Sequence, residues 1–255
     1  MCLINFQFHE HPQYKLIVAA NRDEFFKRPT AQAHFWEDVP NVLAGRDLLQ
    51  MGTWLGITKQ GRFAALTNFR DPAHMGTGKK SRGDIVRRYL AGHAEPQNFL
   101  QSIQKEKEEY FGFNVILGNP DQLYYYNNIQ NEISEINKGE THGLSNHFLN
   151  TPWPKVVKGR KNLYHYVMET PKIDVDQLFQ ILLDAEEAPD EELPNTGIGA
   201  ELERKLSSLF IHLPDYGTRS STVLLIDHNN QVTFVERTYH DGKYVGEKEY
   251  TFMIG

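Results

Sequence analysis

Apolar residues recur at every second position near the N-terminus. Cys2, Ile4, Phe6 and Phe8 fall on one side, with Leu3, Asn5 and Gln7 on the other, which is the period of a strand. His9 to Gln13, with Pro12, reads as a turn, and Tyr14 to Ala20 as a second strand. A tight hairpin brings residue 2 level with residues 20–23. There the apolar run stops at Asn21-Arg22-Asp23-Glu24. In a period-two register Asn21 and Asp23 share one face, and Arg22 and Glu24 the other. Residues 27–50, with Pro29, Pro40 and Gly45, read as irregular. A second hairpin covers 52–58 and 62–69 and ends in Thr67-Asn68-Phe69-Arg70-Asp71-Pro72. Residues 73–80 read as a flexible loop whose glycine spacing does not match a phosphate loop.

The period then changes to that of helices. Ile85, Val86, Tyr89 and Leu90 predict a helix over 81–93, and Phe99, Leu100 and Ile103 another over 96–110. Residues 113–117 and 123–126 form a hairpin across Gly118-Asn119-Pro120-Asp121, with a short strand over 132–136. Its Tyr124-Tyr125-Tyr126 run reads as strand packing, with lining of a ligand groove as the alternative. Residues 141–154 read as a polar loop rich in His and Asn, followed by helices over 155–168 and 175–186. The rest is strand-like: 210–213, 221–227, 232–238 and 244–252, with turns at Asn229-Asn230 and Asp241-Gly242. Strands at both ends with helices between them predict an α+β fold of two mainly antiparallel sheets between helices. The expectation is one domain over residues 1–255.

Composition narrows the function classes. A net charge of -6 in 255 residues argues against nucleic acid or an anionic membrane as the main partner. No apolar run is long enough to span a bilayer, and no basic segment precedes an apolar core at the start of the chain. Cytoplasmic location is the expectation, with a small-molecule or lipophilic ligand as partner. The single cysteine rules out an intrachain disulfide framework and a Cys-based zinc site. No metal is expected, and no cofactor.

That cysteine lies directly behind the initiator methionine. Removal of Met1 would put a thiol and a free α-amine on one residue, a nucleophile with its own base. Such chemistry needs a group to orient the amine, donors for a tetrahedral oxyanion and local positive charge. Asp23 is the candidate for the first, Asn68 and Asn146 for the second, and Arg219, just before a strand, for the third. Asn21, Arg22 and Arg70 are the expected substrate contacts.

The start Met1-Cys2, the segment Asn21-Arg22-Asp23-Glu24 and the segment Thr67-Asn68-Phe69-Arg70-Asp71-Pro72 resemble the NRDE family, also called the transport and Golgi organisation 2 family. The resemblance covers essentially the whole chain. It implies a four-layer αββα fold similar to the N-terminal nucleophile hydrolases. Among those it points to Cys-type amidases of the penicillin acylase and bile-salt hydrolase group. Their catalytic Cys matches Cys2, their Asp matches Asp23, and their two Asn resemble Asn68 and Asn146. The Arg they carry before the Asn-x-Asp segment is Ala20 here, with Arg22 or Arg219 as candidates to stand in. The implied activity is hydrolysis of a non-peptide C–N amide. The family also implies a second reading: a non-enzymatic carrier of haem or another lipophilic ligand, with Cys2, His142 or His147 as haem ligands.

Overall fold

A computed structural model describes residues 2–72 and 79–255. Met1 and most of the 73–80 loop therefore lie outside the described residues. The chain divides into two units, residues 1–27 with 137–251, and residues 28–136 with 252–255.

The first unit is built on a six-stranded sheet. Its strands are β1 (Cys2–Phe8), β2 (Tyr14–Phe25), β10 (Glu140–Leu144), β11 (Tyr216–Asp227), β12 (Gln231–His240) and β13 (Lys243–Met253), in the order β10-β1-β2-β11-β12-β13. The β1/β2 register pairs Cys2 with Arg22, Leu3 with Asn21 and Ile4 with Ala20. The hairpin therefore sets the thiol beside the polar segment, as its period predicts. Two helices, α3 (Pro154–Glu169) and α4 (Val175–Leu182), cover one face of this sheet. Ile17, Ala19, Val223, Leu225 and Val235 from the strands meet Leu163, Val167, Leu178, Phe179 and Leu182 from the helices. Proline at the first position of α3 costs no hydrogen bond there. Asp174 caps α4 by accepting from the Asp176 N–H at 2.9 Å.

All seven residues of β1 are buried, including the polar Asn5 and Gln7. The face carrying Leu3, Asn5 and Gln7 is covered by α3, which comes so close at Gly159 that a Cβ would lie 2.6 Å from Nδ2 of Asn5. Gly159→Ala is thus a contest. It gains up to about 1 kcal/mol of helix propensity and forces a buried amide aside, an overpacking cost of about 1–3 kcal/mol. The clash wins: we expect a net loss of about 1 kcal/mol, read as a lower urea midpoint at unchanged slope. An unchanged or raised midpoint contradicts this packing.

The second unit is a seven-stranded antiparallel meander, β3 (Thr30–Phe35), β4 (Val42–Asp47), β5 (Leu55–Thr58), β6 (Phe63–Asn68), β7 (Phe113–Asn119), β8 (Gln122–Asn127) and β9 (Glu132–Glu135), neighbours in sequence being neighbours in space. Helices α1 (Gly83–Ala91) and α2 (Pro96–Lys105) cover one face, where Val42, Ala44, Leu66, Val115, Leu117 and Tyr126 meet Ile85, Tyr89, Leu90 and Leu100. On the other side of β7 and β8, Asn114 donates to Thr67 Oγ1 (3.0 Å) and accepts from Tyr125 Oη (2.7 Å). Tyr125 and Tyr126 thus serve strand packing, the reading their run suggested.

Several sequence expectations need correction. Residues 27–50 are not irregular, since they hold β3 and β4. The prolines and Gly45 punctuate strands rather than replace them. β2 runs on through the polar segment to Phe25, with Asn21 bonded to Leu182, Leu209 and Ser221 and Asp23 to Thr218. Part of the predicted 141–154 loop is β10, pairing with β1. Phe210 to Leu213 is not a strand and holds one isolated bridge, His212 to Gly217. β11 begins at Tyr216 rather than at Ser221, and a short helix, α5 (Ala200–Lys205), lies before it. No helix among the described residues is long and apolar enough to cross a membrane.

Candidate active site

Cys2 opens β1, and only 8% of its surface is exposed. Pairing to Arg22 sets it beside the end of β2. Burial pushes the Cys2 thiol up, and the charge of Asp23 adds to this. Arg22 and a hydrogen bond from the Asp23 backbone N–H pull the other way without cancelling it. The thiol is therefore protonated near neutral pH, and a reaction at sulfur needs a base close by.

Asp23 stands opposite Thr218 of β11. The Thr218 hydroxyl donates to Asp23 Oδ1 at 2.8 Å, and its oxygen accepts from the Ile211 N–H at 3.0 Å. The single hydroxyl proton is thereby committed to the carboxylate. Burial, with 2% of the residue exposed, pushes the Asp23 carboxyl up. Lys155, the Thr218 hydrogen bond and Arg22 act to hold it down. Asp23 shares the helix-covered face with Ile17, Ala19 and Asn21, while Ala20 and Arg22 lie on the face of Cys2.

Asn146 is fully buried and lies two residues beyond the end of β10. Continuing the β1/β10 register sets it level with Cys2. The Ser145 hydroxyl donates to the Cys2 carbonyl (2.9 Å) and lies 3.1 Å from Asn146 Oδ1. Arg219 sits in a bulge of β11, between the Thr218 and Ser220 pairings. Its Nη1 donates to the Phe25 and Phe26 carbonyls at 2.8 and 2.9 Å. Burial and the charge of nearby Arg22 both lower its pKa, and Arg22 in turn lies 3.9 Å from Glu24. Asn21 has a scaffold role. Its Nδ2 donates to the Leu182 and Leu209 carbonyls, both at 2.9 Å, and its Oδ1 accepts from Ser221 at 2.6 Å. The structure thus gathers Cys2, Asp23, Asn146, Arg22 and Arg219 at one end of the first sheet. Asn68, the last residue of β6, and Arg70, just beyond it, belong to the second unit.

The histidines of the carrier reading have protein partners. His142 is buried, stacks on Phe6 (4.9 Å between ring centres) and meets Asn150 Nδ2 at 3.1 Å through Nδ1. His147 Nδ1 lies 2.9 Å from Thr151 Oγ1. Burial lowers the pKa of both rings. No group of three or more His, Cys, Asp or Glu that could hold a metal occurs among the described residues.

Residues 1–241 match the family model described as Transport and Golgi organisation 2. The chain belongs to that family. A cattle protein (Bos taurus), Transport and Golgi organization protein 2 homolog, is 35% identical over 93% of both chains. The Drosophila melanogaster protein Transport and Golgi organization protein 2 is 32% identical, covering 93% of this chain and 92% of its own. Among solved structures, two variants of the conjugated bile acid hydrolase of Clostridium perfringens align with TM-scores of 0.55 and 0.57 at 9% and 10% identity. They cover 100% and 99% of this chain, and 97% and 98% of their own. At that identity the likeness concerns the fold alone, and this member of the Transport and Golgi organisation 2 family has the α+β fold of the N-terminal nucleophile hydrolases.

Ser145, Thr218 and Lys155 were missed in the sequence. Ser145 and Thr218 adjoin the candidates Asn146 and Arg219, a cue of position only. Lys155 gave no signal at all, because lysine is almost never buried unless paired.

Proposed function

We propose that Cys2, freed by removal of Met1, is the nucleophile of an amidohydrolase acting on a non-peptide C–N amide. The observation that carries the reading is the buried Cys2 thiol at the head of β1, paired with Arg22 next to buried Asp23, with its carbonyl accepting from Ser145 next to buried Asn146.

In the first step the thiol sulfur bonds to the substrate carbonyl carbon. Its proton passes to the Cys2 α-amine, whose ordinary pKa of about 7.7–8.0 suits that exchange near neutral pH. The carbonyl oxygen becomes an oxyanion, which the Asn146 side chain can meet with an N–H. The C–N bond then breaks, the leaving nitrogen takes the proton from the α-amine, and a thioester remains on Cys2. Water attacks the thioester, gives its proton to the same amine and releases the acid, restoring the thiol. Asp23 orients the amine through both halves. Arg22 and Arg219 supply positive charge beside the sulfur.

The experiment is covalent trapping. Phenoxymethylpenicillin carries a strained amide that opens on a nucleophile without losing atoms. Incubation should add one intact probe mass to the N-terminal peptide carrying Cys2. No adduct, or an adduct on another peptide only, overturns the reading.

A further inference from the structure

Helix α3 brings a lysine into the interior at its first turn. Lys155, the second residue of α3, is 2% exposed. A cation there is doubly unfavourable: burial penalises its charge, and the start of a helix carries partial positive charge of its own. Such a residue persists where an anion compensates it.

The topology identifies the anion. Lys155 and Gly159 are four residues apart and lie on one face of α3, and Gly159 touches Asn5 on the helix-covered face of β1. Val156 and Trp153 meet Leu3 and Leu209, so α3 begins over the Cys2 end of that strand. Asn21, on the same sheet face, bonds the Leu182 and Leu209 carbonyls, and Asp23 follows two residues later on that face. Among the described groups, Lys155 acts on Asp23, while Cys2, Arg22 and Glu24 lie across the sheet and, on the helix side, Asp184 and Glu186 are paired with Lys158 one turn along α3. Among the described strand residues at that end, Asp23 is the carboxylate on the helix-covered face, and the nearby Asp184 is taken by Lys158. After burial itself, the Lys155 charge is the largest influence on the Asp23 carboxyl, ahead of the Thr218 hydrogen bond and Arg22.

We propose that Lys155 is a positioning residue of the Cys2 site: it reaches Asp23 from the helix side of the sheet and keeps that carboxylate charged, so that Asp23 can hold the Cys2 α-amine. The inference rests on the Cys2 reading for its purpose. It also adds, beside Arg22 and Arg219, a third cation to a site with Ala20 on the face of Cys2, acting through Asp23 on the helix-covered face.

The test is the titration of Asp23, followed by its side-chain carboxyl 13C resonance and assigned with Asp23→Asn. Lys155→Met should raise the Asp23 midpoint by about one pH unit or more, as expected when a close opposite charge is lost, and Lys155→Arg should return it towards the wild-type value. A midpoint unmoved in Lys155→Met overturns the proposal. So does an equal shift in Lys155→Arg, which assigns the effect to packing rather than charge. If Lys155→Met does not fold, the reciprocal measurement decides. Coupling between two sites is mutual, so Asp23→Asn must lower the Lys155 midpoint, read at its side-chain Cε, by a comparable amount, and an unmoved Lys155 overturns the proposal. Neither titration requires turnover or loss of Met1, so a failed trapping experiment leaves this inference to its own test.

Discussion

Cys2→Ala is expected to abolish covalent trapping by phenoxymethylpenicillin, with no adduct on the N-terminal peptide under conditions that saturate the wild type. The chain contains one cysteine, so no second thiol can take over. The substitution should leave the fold intact. Cys2 occupies the first position of β1, where its backbone carbonyl accepts from Ser145 and its strand pairs with β2 whatever the side chain. Losing one buried sulfur costs about 1 kcal/mol, small against the about 5–15 kcal/mol that holds a domain together. A folded Cys2→Ala protein that still labels would remove Cys2 from the chemistry.

Asp23→Asn should slow trapping by about a hundredfold or more, the range for a positioned group in proton transfer. Asparagine keeps the shape and still accepts from Thr218, so the change isolates the charge. The pH dependence separates this effect from unfolding. Burial pushes the Asp23 carboxyl above the usual carboxylate range. The charged form is the one that holds the amine, so trapping should fall on acidification at a pH higher than an ordinary aspartate would give. The fold responds in the opposite sense. A carboxyl whose folded pKa is raised binds its proton more tightly in the folded state. Its contribution to stability is then full below the unfolded value of about 3.9 and is lost as pH rises through the folded value. Acid should therefore cost activity through Asp23 without Asp23 destabilising the protein. In Asp23→Asn that acid limb should vanish. A limb that persists unchanged in the variant, or a rate within a few-fold of wild type, contradicts the role given to Asp23.

The legible parts of the sequence were those whose partners lie close in the chain. The period of residues 2–8 and the turn at His9–Gln13 place Cys2 opposite Arg22, and the fold follows from strands flanking amphipathic helices. The segments around Cys2, Asn21 and Asn68 pointed to the family. What stayed hidden depends on distant partners. The sequence shows Asn21 to Asp23 as a polar cluster at the end of the second strand, but not which groups satisfy it: Asn21 bonds Leu182, Leu209 and Ser221, and Asp23 bonds Thr218, 195 residues on. Nothing local in the sequence says that Gly159 lets α3 cover the face of Asn5 and Gln7. Lys155 carried no sequence cue to its burial, since Asp23, on which it acts, lies on another element. Phe210 and Ile211 erred the other way: both are buried, but burial of an apolar run does not require a ladder. The candidate site falls where local pattern fails, since a buried charge is tolerable only when another part of the chain answers it.

The central claim is that Cys2 becomes the first residue of the working protein. Intact-mass spectrometry of the purified protein tests it most directly. The account predicts a single species lighter than the full sequence by one methionine residue, with Cys2 at its N-terminus. A protein that retains Met1 has no free α-amine on Cys2 and contradicts the mechanism outright.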